Sequence, residues 1–240
     1  MKIITTDNYK DMSQLGAEIL RDVIKGKPNA TLGLATGSTV LGTYAQLCKM
    51  YSDGDISFAD VKTVNLDEYV GLDGSNEQSY AYYMRTNLFN CVDIDMSNTH
   101  IPRGNALDLA SECKRYDSLL ASLPRDVQLL GLGSNGHIAF NEPGSPFDAR
   151  TRVVRLEDST VNDNSRLFTR VADVPKMAIT MGIADIMSAK QVLLLASGLN
   201  KAQAVKAMVH GQVCVNCPAS ILQRHPNVIV VLDKQAASLL

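Results

Sequence analysis

Residues 129–144 read LLGLGSNGHIAFNEPG, a short apolar run that breaks into a glycine-rich turn and then into His137, Asn141, Glu142 and Pro143. Two readings compete. Gly131-x-Gly133-x-x-Gly136 after a strand has the spacing of the phosphate turn in a dinucleotide-binding fold. Glu157, after RVVRL, lies near the roughly 20-residue distance expected of an acidic ribose ligand. That reading requires the last glycine to open a sustained helix, and Pro143, Gly144 and Pro146 interrupt any such helix almost at once. The stretch therefore reads as a strand feeding an irregular loop. The loop presents an imidazole, His137, with the amide of Asn135 and the carboxylate of Glu142 close by. Such a group carries protons, and flanking acceptors fix its tautomer. The plainer alternative is a histidine that only satisfies backbone groups.

Short Val/Ile/Leu-rich runs followed by amphipathic stretches recur along the chain. Ile3 and Ile4 precede a helical spacing of Met12, Leu15, Ile19 and Val23, with Asp7 as the capping candidate. Strands are expected at 32–35, 61–66, 127–132, 177–181, 192–196 and 228–232, and helices at 40–50, 80–89, 107–123, 183–187 and 202–209. Parallel strands need crossovers, and the crossover helices cover the sheet. The expectation is an α/β fold: a single domain over 1–240, three-layer α/β/α with a mainly parallel Rossmann-like sheet. Ligands in such folds sit beyond the carboxyl ends of the strands, which brings together the loops 36–39, 67–71, 133–144 and 197–201. Residues 141–152 read as an irregular loop, and no internal repeat interrupts the pattern.

Composition narrows the function classes. The 240 residues are 45% hydrophobic and 20% charged, with 23 Lys plus Arg against 25 Asp plus Glu and a formal net charge of −2. No global field directs the chain to nucleic acid or to an anionic membrane, although a small anionic substrate can still bind locally. The N-terminal MKIITTDNYKDM lacks the basic-then-apolar order of a secretion signal, and no apolar run reaches the roughly 18 residues of a membrane span. A cytoplasmic location is expected. Five scattered cysteines read as free thiols of a reducing compartment. Cys214-x-x-Cys217, with His210 and His225 nearby, lacks the second cysteine pair of a zinc site, and no metal is expected.

Three further features carry chemistry. Gly37-Ser38-Thr39 lies at a strand-to-helix junction, where unpaired N–H groups and the helix dipole favour a phosphate; Ser38 or Thr39 could equally be a plain helix cap. Asp67-Glu68 ends the apolar run VKTVNL, so one of the two carboxylates should cross the carboxyl edge of the sheet. Burial would make it a base able to move a proton on carbon, and the alternative is an acidic loop or cap. Arg166 in NDNSRLF and Lys201 in SGLNKAQAV lie near helix starts, suited to an anion in the same cleft or to solvated surface.

These residues resemble the glucosamine-6-phosphate deaminases, also called glucosamine-6-phosphate isomerases. The likeness runs through LGLATGSTVLGTY, VNLDEYVGL, the Ser79-Tyr80 helix, GLGSNGHIAFNEPG, residues 164–166 (NSR), AITMGIADI and SGLNKAQAV. It implies an aldose-to-ketose isomerisation coupled to loss of the amine, giving fructose-6-phosphate and ammonia, with no cofactor. By the family pattern Asp67 is the base at the amine-bearing carbon, and His137 opens the sugar ring with Glu142 and Asn135 tuning it. Thr36, Gly37, Ser38 and Thr39, with Arg166 and Lys201, hold the phosphate. Remote binding energy at the phosphate would then orient the reacting carbons.

Two departures from the family pattern carry expectations. Several members have Asp where this chain has Asn135, so Asn135→Asp is expected to move the pH dependence of ring opening upward. Val154 falls where a Lys would help bind the activator N-acetylglucosamine-6-phosphate, although Arg152 is kept, and the chain stops at Leu240 without the longer tail; a non-allosteric enzyme is expected. The nearest rival, a 6-phosphogluconolactonase, has no need of a carbon-acid base at Asp67, and DEYVG with NEPG favours the deaminase. A galactosamine-6-phosphate deaminase is the epimeric alternative. A non-catalytic sugar-phosphate sensor ranks lower, because every proton carrier is present and no helix-turn-helix segment is seen.

Overall fold

In the computed structural model, which describes residues 1–157 and 174–240, seven parallel strands form one sheet. The element order is β1 (Lys2–Thr6), α1 (Tyr9–Gly26), β2 (Thr31–Leu34), α2 (Ser38–Ser52), β3 (Lys62–Asn65), β4 (Asp67–Tyr69), α3 (Tyr80–Asn87), β5 (Thr99–His100), α4 (Leu109–Ser122), β6 (Val127–Leu130), β7 (Arg152–Arg155), β8 (Met177–Thr180), α5 (Ile183–Met187), β9 (Val192–Ala196), α6 (Ala202–His210) and β10 (Val228–Asp233). Every residue of β2, β6 and β9 is buried. Near-continuous burial rather than alternation marks strands covered by helices on both faces, and the architecture is the expected three-layer α/β/α.

The order across the sheet is β1-β10-β9-β6-β2-β3-β5. From β2 the chain winds outward to β3 and β5. It then returns to place β6 on the other side of β2 and winds outward through β9 and β10. The winding direction reverses between β2 and β6, so the loops leaving these strands part and open a crevice at their carboxyl ends. This topology puts the loops 36–39 and 133–144 side by side, as the sequence implied.

The helix expected from Met12, Leu15, Ile19 and Val23 is present as α1, and two other expectations need correction. Asn8, not Asp7, caps α1: its side chain accepts from Asp11 N at 3.0 Å, because the cap must immediately precede the first helical residue. Asp7 pairs instead with Lys234 at 2.6 Å. The core stripe of α1 runs through Met12, Ala17, Leu20 and Ile24, with Leu15, Ile19 and Val23 on its partly buried flank. Spacing of large apolar residues overlooks Gly16 and Ala17, whose small side chains allow a helix to pack closely.

The second correction concerns the segment 67–71, expected as a loop, and the segment 177–181, expected in the main sheet. Asp67–Tyr69 and Met177–Thr180 instead form, with Arg152–Arg155, a three-stranded antiparallel sheet in the order β4-β8-β7. Strands of three or four residues are too short for a periodic signal, and the ladder rather than the local sequence defines them. Leu66 joins the two sheets. Its N–H donates to Leu34 O at 3.2 Å in the parallel sheet, while its carbonyl accepts from Met181 N at 2.7 Å beside the antiparallel one.

Candidate active site

A cleft of about 510 Å³ lies over the carboxyl ends of β2, β3, β6 and β9. Its walls include 35–39 after β2, Leu66 and Asp67 after β3, 131–134 with His137 after β6, and Ser197, Asn200 and Lys201 after β9. All four sequence-selected loops therefore contribute to one cavity. Arg166 lies outside the described residues.

The two adjacent carboxylates separate. Consecutive residues of a strand point to opposite faces. Asp67 lines the cleft, whereas Glu68 turns to the amino end of α3 and accepts from Tyr69 N, Tyr80 N and Ala81 N, each at 2.9 Å. Asp67 is 6% exposed, and burial, reinforced by the charge of Glu68, pushes its carboxyl up to about 8. Burial also raises Glu68, against the three backbone bonds that favour its ionised form. Glu68 is thus a helix cap delivered from a neighbouring strand, and Asp67 is a carboxyl able to exchange a proton near neutral pH.

His137, Asn135 and Glu142 form a closed network. The His137 Nδ1 lies 2.7 Å from Asn135 Oδ1 and 3.2 Å from Glu142 Oε2, and Asn135 Nδ2 donates to Glu142 Oε2 at 2.8 Å. An ionised Glu142 only accepts, so the Asn135 NH2 must face it and leave Oδ1 toward the ring. Two acceptors then meet Nδ1, which makes Nδ1 the proton-bearing nitrogen of the neutral ring and leaves Nε2 as its basic atom. Asn135 does not separate the imidazole from negative charge, because Glu142 reaches the same nitrogen.

The turn after β2 is shaped for an anion. Gly37 has φ +109°, a region that L side chains rarely adopt, and stands at the N-cap of α2. The N-cap residue is a glycine with no side chain to offer, and Ser38 and Thr39 lie inside the helix rather than at its cap position. The turn is braced from outside: Tyr83 Oη donates to Gly37 O at 2.8 Å, and Tyr9 Oη donates to Ser38 O at 2.9 Å and accepts from Gly42 N at 2.8 Å. First-turn N–H groups, the dipole of α2 and the ammonium of Lys201 on the same cleft favour a phosphate.

The sequence matches the family model of glucosamine-6-phosphate isomerases/6-phosphogluconolactonase over residues 6–230. The chain belongs to that family. It is 49% identical over 241 residues to the glucosamine-6-phosphate deaminase of Thermoanaerobacter pseudethanolicus, a match covering 100% of this chain and 95% of the relative. Identity to the glucosamine-6-phosphate deaminase of Clostridium perfringens is 47%, with both chains fully covered. The fold superposes on the solved structure of a monomeric glucosamine-6-phosphate deaminase with TM-score 0.98, 48% identity and full coverage of both chains. A 6-phosphogluconolactonase from Trypanosoma brucei, at TM-score 0.80 and 23% identity over 100% of this chain and 98% of that one, shares the fold.

Within this isomerase/lactonase frame, several cleft residues escaped the sequence reading. Tyr80 lies against Asp67 and Thr36, and its ring stacks on Phe140 at 6.1 Å between centroids with 15° between planes. Burial holds the Tyr80 phenol well above its usual range, as a neutral donor. Ala139, beside the cleft, has φ +53°. Isolated aromatic or small residues in a loop carry no periodic signal, so only the tertiary contacts reveal them. Glu157, the acidic ribose candidate, is exposed beyond β7, outside the residues that line the cleft. His225 is a core residue, with Nε2 2.8 Å from Ala189 O and Nδ1 accepting from Asn227 N at 3.1 Å. Cys217 is buried at the start of the turn Pro218–Arg224, and no group of three or more His, Cys, Asp or Glu side chains among the described residues is placed to hold a metal ion.

Proposed function

We propose that the chain, as one domain over 1–240, is a glucosamine-6-phosphate deaminase that converts glucosamine-6-phosphate and water to fructose-6-phosphate and ammonia. The observation that carries the reading is a buried carboxyl, Asp67, in the same cleft as an anion-binding turn and a tautomer-fixed imidazole. The names borne by relatives at 47–51% identity over the full chain support it.

The phosphate binds Thr36, Gly37, Ser38, Thr39 and Lys201, with Arg166 as a further partner, and fixes the sugar by its far end. His137 moves the proton between the anomeric hydroxyl and the ring oxygen, with Glu142 and Asn135 holding its Nδ1 side, and the ring opens. Asp67 takes the proton from the amine-bearing carbon and returns it to the adjacent carbon. The resulting ketose imine is hydrolysed by water to the ketose and ammonia. The scheme breaks the C1–O5 bond, moves a proton from C2 to C1 while O1 is protonated, adds water at C2 and expels ammonia as the C–N bond breaks, and no cofactor enters it.

The test is ammonia release from glucosamine-6-phosphate, galactosamine-6-phosphate and, as hydrolysis, 6-phosphogluconolactone, with the wild type and Asp67→Asn. The first substrate should be preferred, and the variant should lose about 10²–10⁴ in kcat while still binding the sugar phosphate. Lactone hydrolysis without ammonia release would reverse the assignment. A small-molecule substrate suits a chain in which no described helix is long and apolar enough to cross a membrane, and activity in the soluble fraction of a cell extract would support a cytoplasmic location.

A further inference from the structure

The phosphate-facing loop after β9 has no capping side chain of its own. Gly198, at φ +96°, precedes the short 3-10 turn Leu199–Lys201, and neither that turn nor α6 behind it is capped by a side chain at its N-cap. What fixes the loop comes from the next strand. Leu232 of β10 is in register with Ala196 of β9, so Asp233, one residue further, stands beside Ser197 where the chain leaves the sheet. Its carboxylate accepts from Ser197 Oγ at 2.5 Å, from Gly198 N at 3.0 and 3.1 Å and from Ala236 N at 2.7 Å. Asp233 is 4% exposed. Although burial acts to raise it, the donors from Ser197, Ala236 and Gly198 hold its carboxyl below the usual range, as suits a permanently ionised acceptor.

We infer that Asp233 is a positioning residue for phosphate binding: by gathering Ser197, Gly198 and Ala236 it sets the loop that carries Asn200 and Lys201 into the cleft. The role rests on the phosphate-binding reading above. It requires a carboxylate rather than any polar side chain. The converging donors need two accepting oxygens, whereas an amide offers one and would set an NH2 against a backbone N–H. Asp233 does not touch the substrate, and its effect passes through the loop.

The test compares Asp233→Asn, Ser197→Ala and Lys201→Ala with the wild type. Three quantities are read: KM and kcat for glucosamine-6-phosphate, the inhibition constant of inorganic phosphate, and kcat/KM for unphosphorylated glucosamine. Asp233→Asn is expected to raise KM and the phosphate inhibition constant about tenfold with a smaller change in kcat, and to leave turnover of glucosamine within about twofold. Ser197→Ala, which keeps the Gly198 and Ala236 bonds, should shift the same quantities in the same direction by less. Equal losses on the phosphorylated and unphosphorylated sugars would mean a general structural role and overturn the inference. So would unchanged phosphate inhibition in Asp233→Asn when Lys201→Ala weakens it. If Lys201→Ala itself leaves phosphate inhibition unchanged, the phosphate-binding reading of the cleft fails first. Should Asp233→Asn not fold, Ser197→Ala decides by the same criteria.

Discussion

Asp67 and Glu68 are neighbours in sequence and opposites in placement: one faces the cleft, and the other accepts from two backbone N–H groups at the amino end of α3, those of Tyr80 and Ala81, and from Tyr69 N of its own strand. Glu68→Gln keeps the shape but offers one accepting oxygen to three donors. It is expected to cost about 1–3 kcal/mol of stability in urea unfolding. Because α3 carries Tyr80 to the substrate cleft, kcat should fall as well, though far less than for Asp67→Asn.

The Asp67 carboxyl ties activity to stability. Its ordinary value is 3.8, and burial pushes it to about 8. Between these two values the folded chain keeps a proton that the unfolded chain has lost, so this group makes stability fall as pH rises through the window. The slope from this group is at most roughly 1.4 kcal/mol per pH unit. Asp67→Asn removes that slope, and its melting temperature should gain on the wild type from pH 5 to pH 8. In the wild type kcat/KM should rise with pH toward 8 as the base ionises. An amino sugar arriving with its ammonium beside Asp67 favours the carboxylate, so the acid limb of kcat should lie at lower pH than that of kcat/KM.

Much of this was readable in the sequence because the informative residues sit where topology alone collects them. Runs such as TLGL and VLLLA state buried parallel strands, and the loops after them must share one sheet edge. Only the family resemblance pointed to Asp67, and strand alternation alone left open which of Asp67 and Glu68 faces the cleft. That depends on a three-residue strand whose partner is more than a hundred residues away, which no local pattern encodes. Tyr80 and Asp233 were missed for the same reason: each acts through contacts with segments remote in sequence. The Asn135 network was half readable, since the three residues lie within one loop but the closure through Glu142 Oε2 is a matter of geometry.

Asn135→Asp places a second carboxylate beside His137 Nδ1 and removes the amide that donates to Glu142. The imidazolium gains support while the two carboxylates repel each other. The pH profile of ring opening, followed by the anomerisation rate of the sugar phosphate, should move upward. An unmoved profile would show that Glu142 alone sets the charge balance at the ring.

Gly37→Ala puts a Cβ on a backbone at φ +109°. Nothing lies within 4 Å of the added atom, so the effect is conformational strain rather than collision, about 1–3 kcal/mol. The turn should relax away from its anion-binding shape, and KM for the phosphorylated sugar should rise more than kcat falls.

The expectation of a non-allosteric enzyme rests on position 154, where Val stands in place of the family's Lys. Arg152, at the start of β7, donates to Asn141 Oδ1 at 2.8 Å and to Ser145 Oγ at 3.1 Å, and Val154 packs on the cluster of Tyr69, Phe140, Leu156 and Ala178. Rate curves should be hyperbolic and unaltered by N-acetylglucosamine-6-phosphate. Sigmoidal curves straightened by that compound would contradict this.

The double attachment of Leu66 has a consequence for how the catalyst adapts. The residue before Asp67 is bonded on its amide side to one β-ladder and on its carbonyl side to another, so displacing the acid means rupturing both. Asp67 is therefore a fixed landmark, and whatever accommodation the sugar demands falls to the surrounding turns. Deuterium uptake should be slow at the Leu66 and Met181 amides, and equally slow with and without bound sugar phosphate.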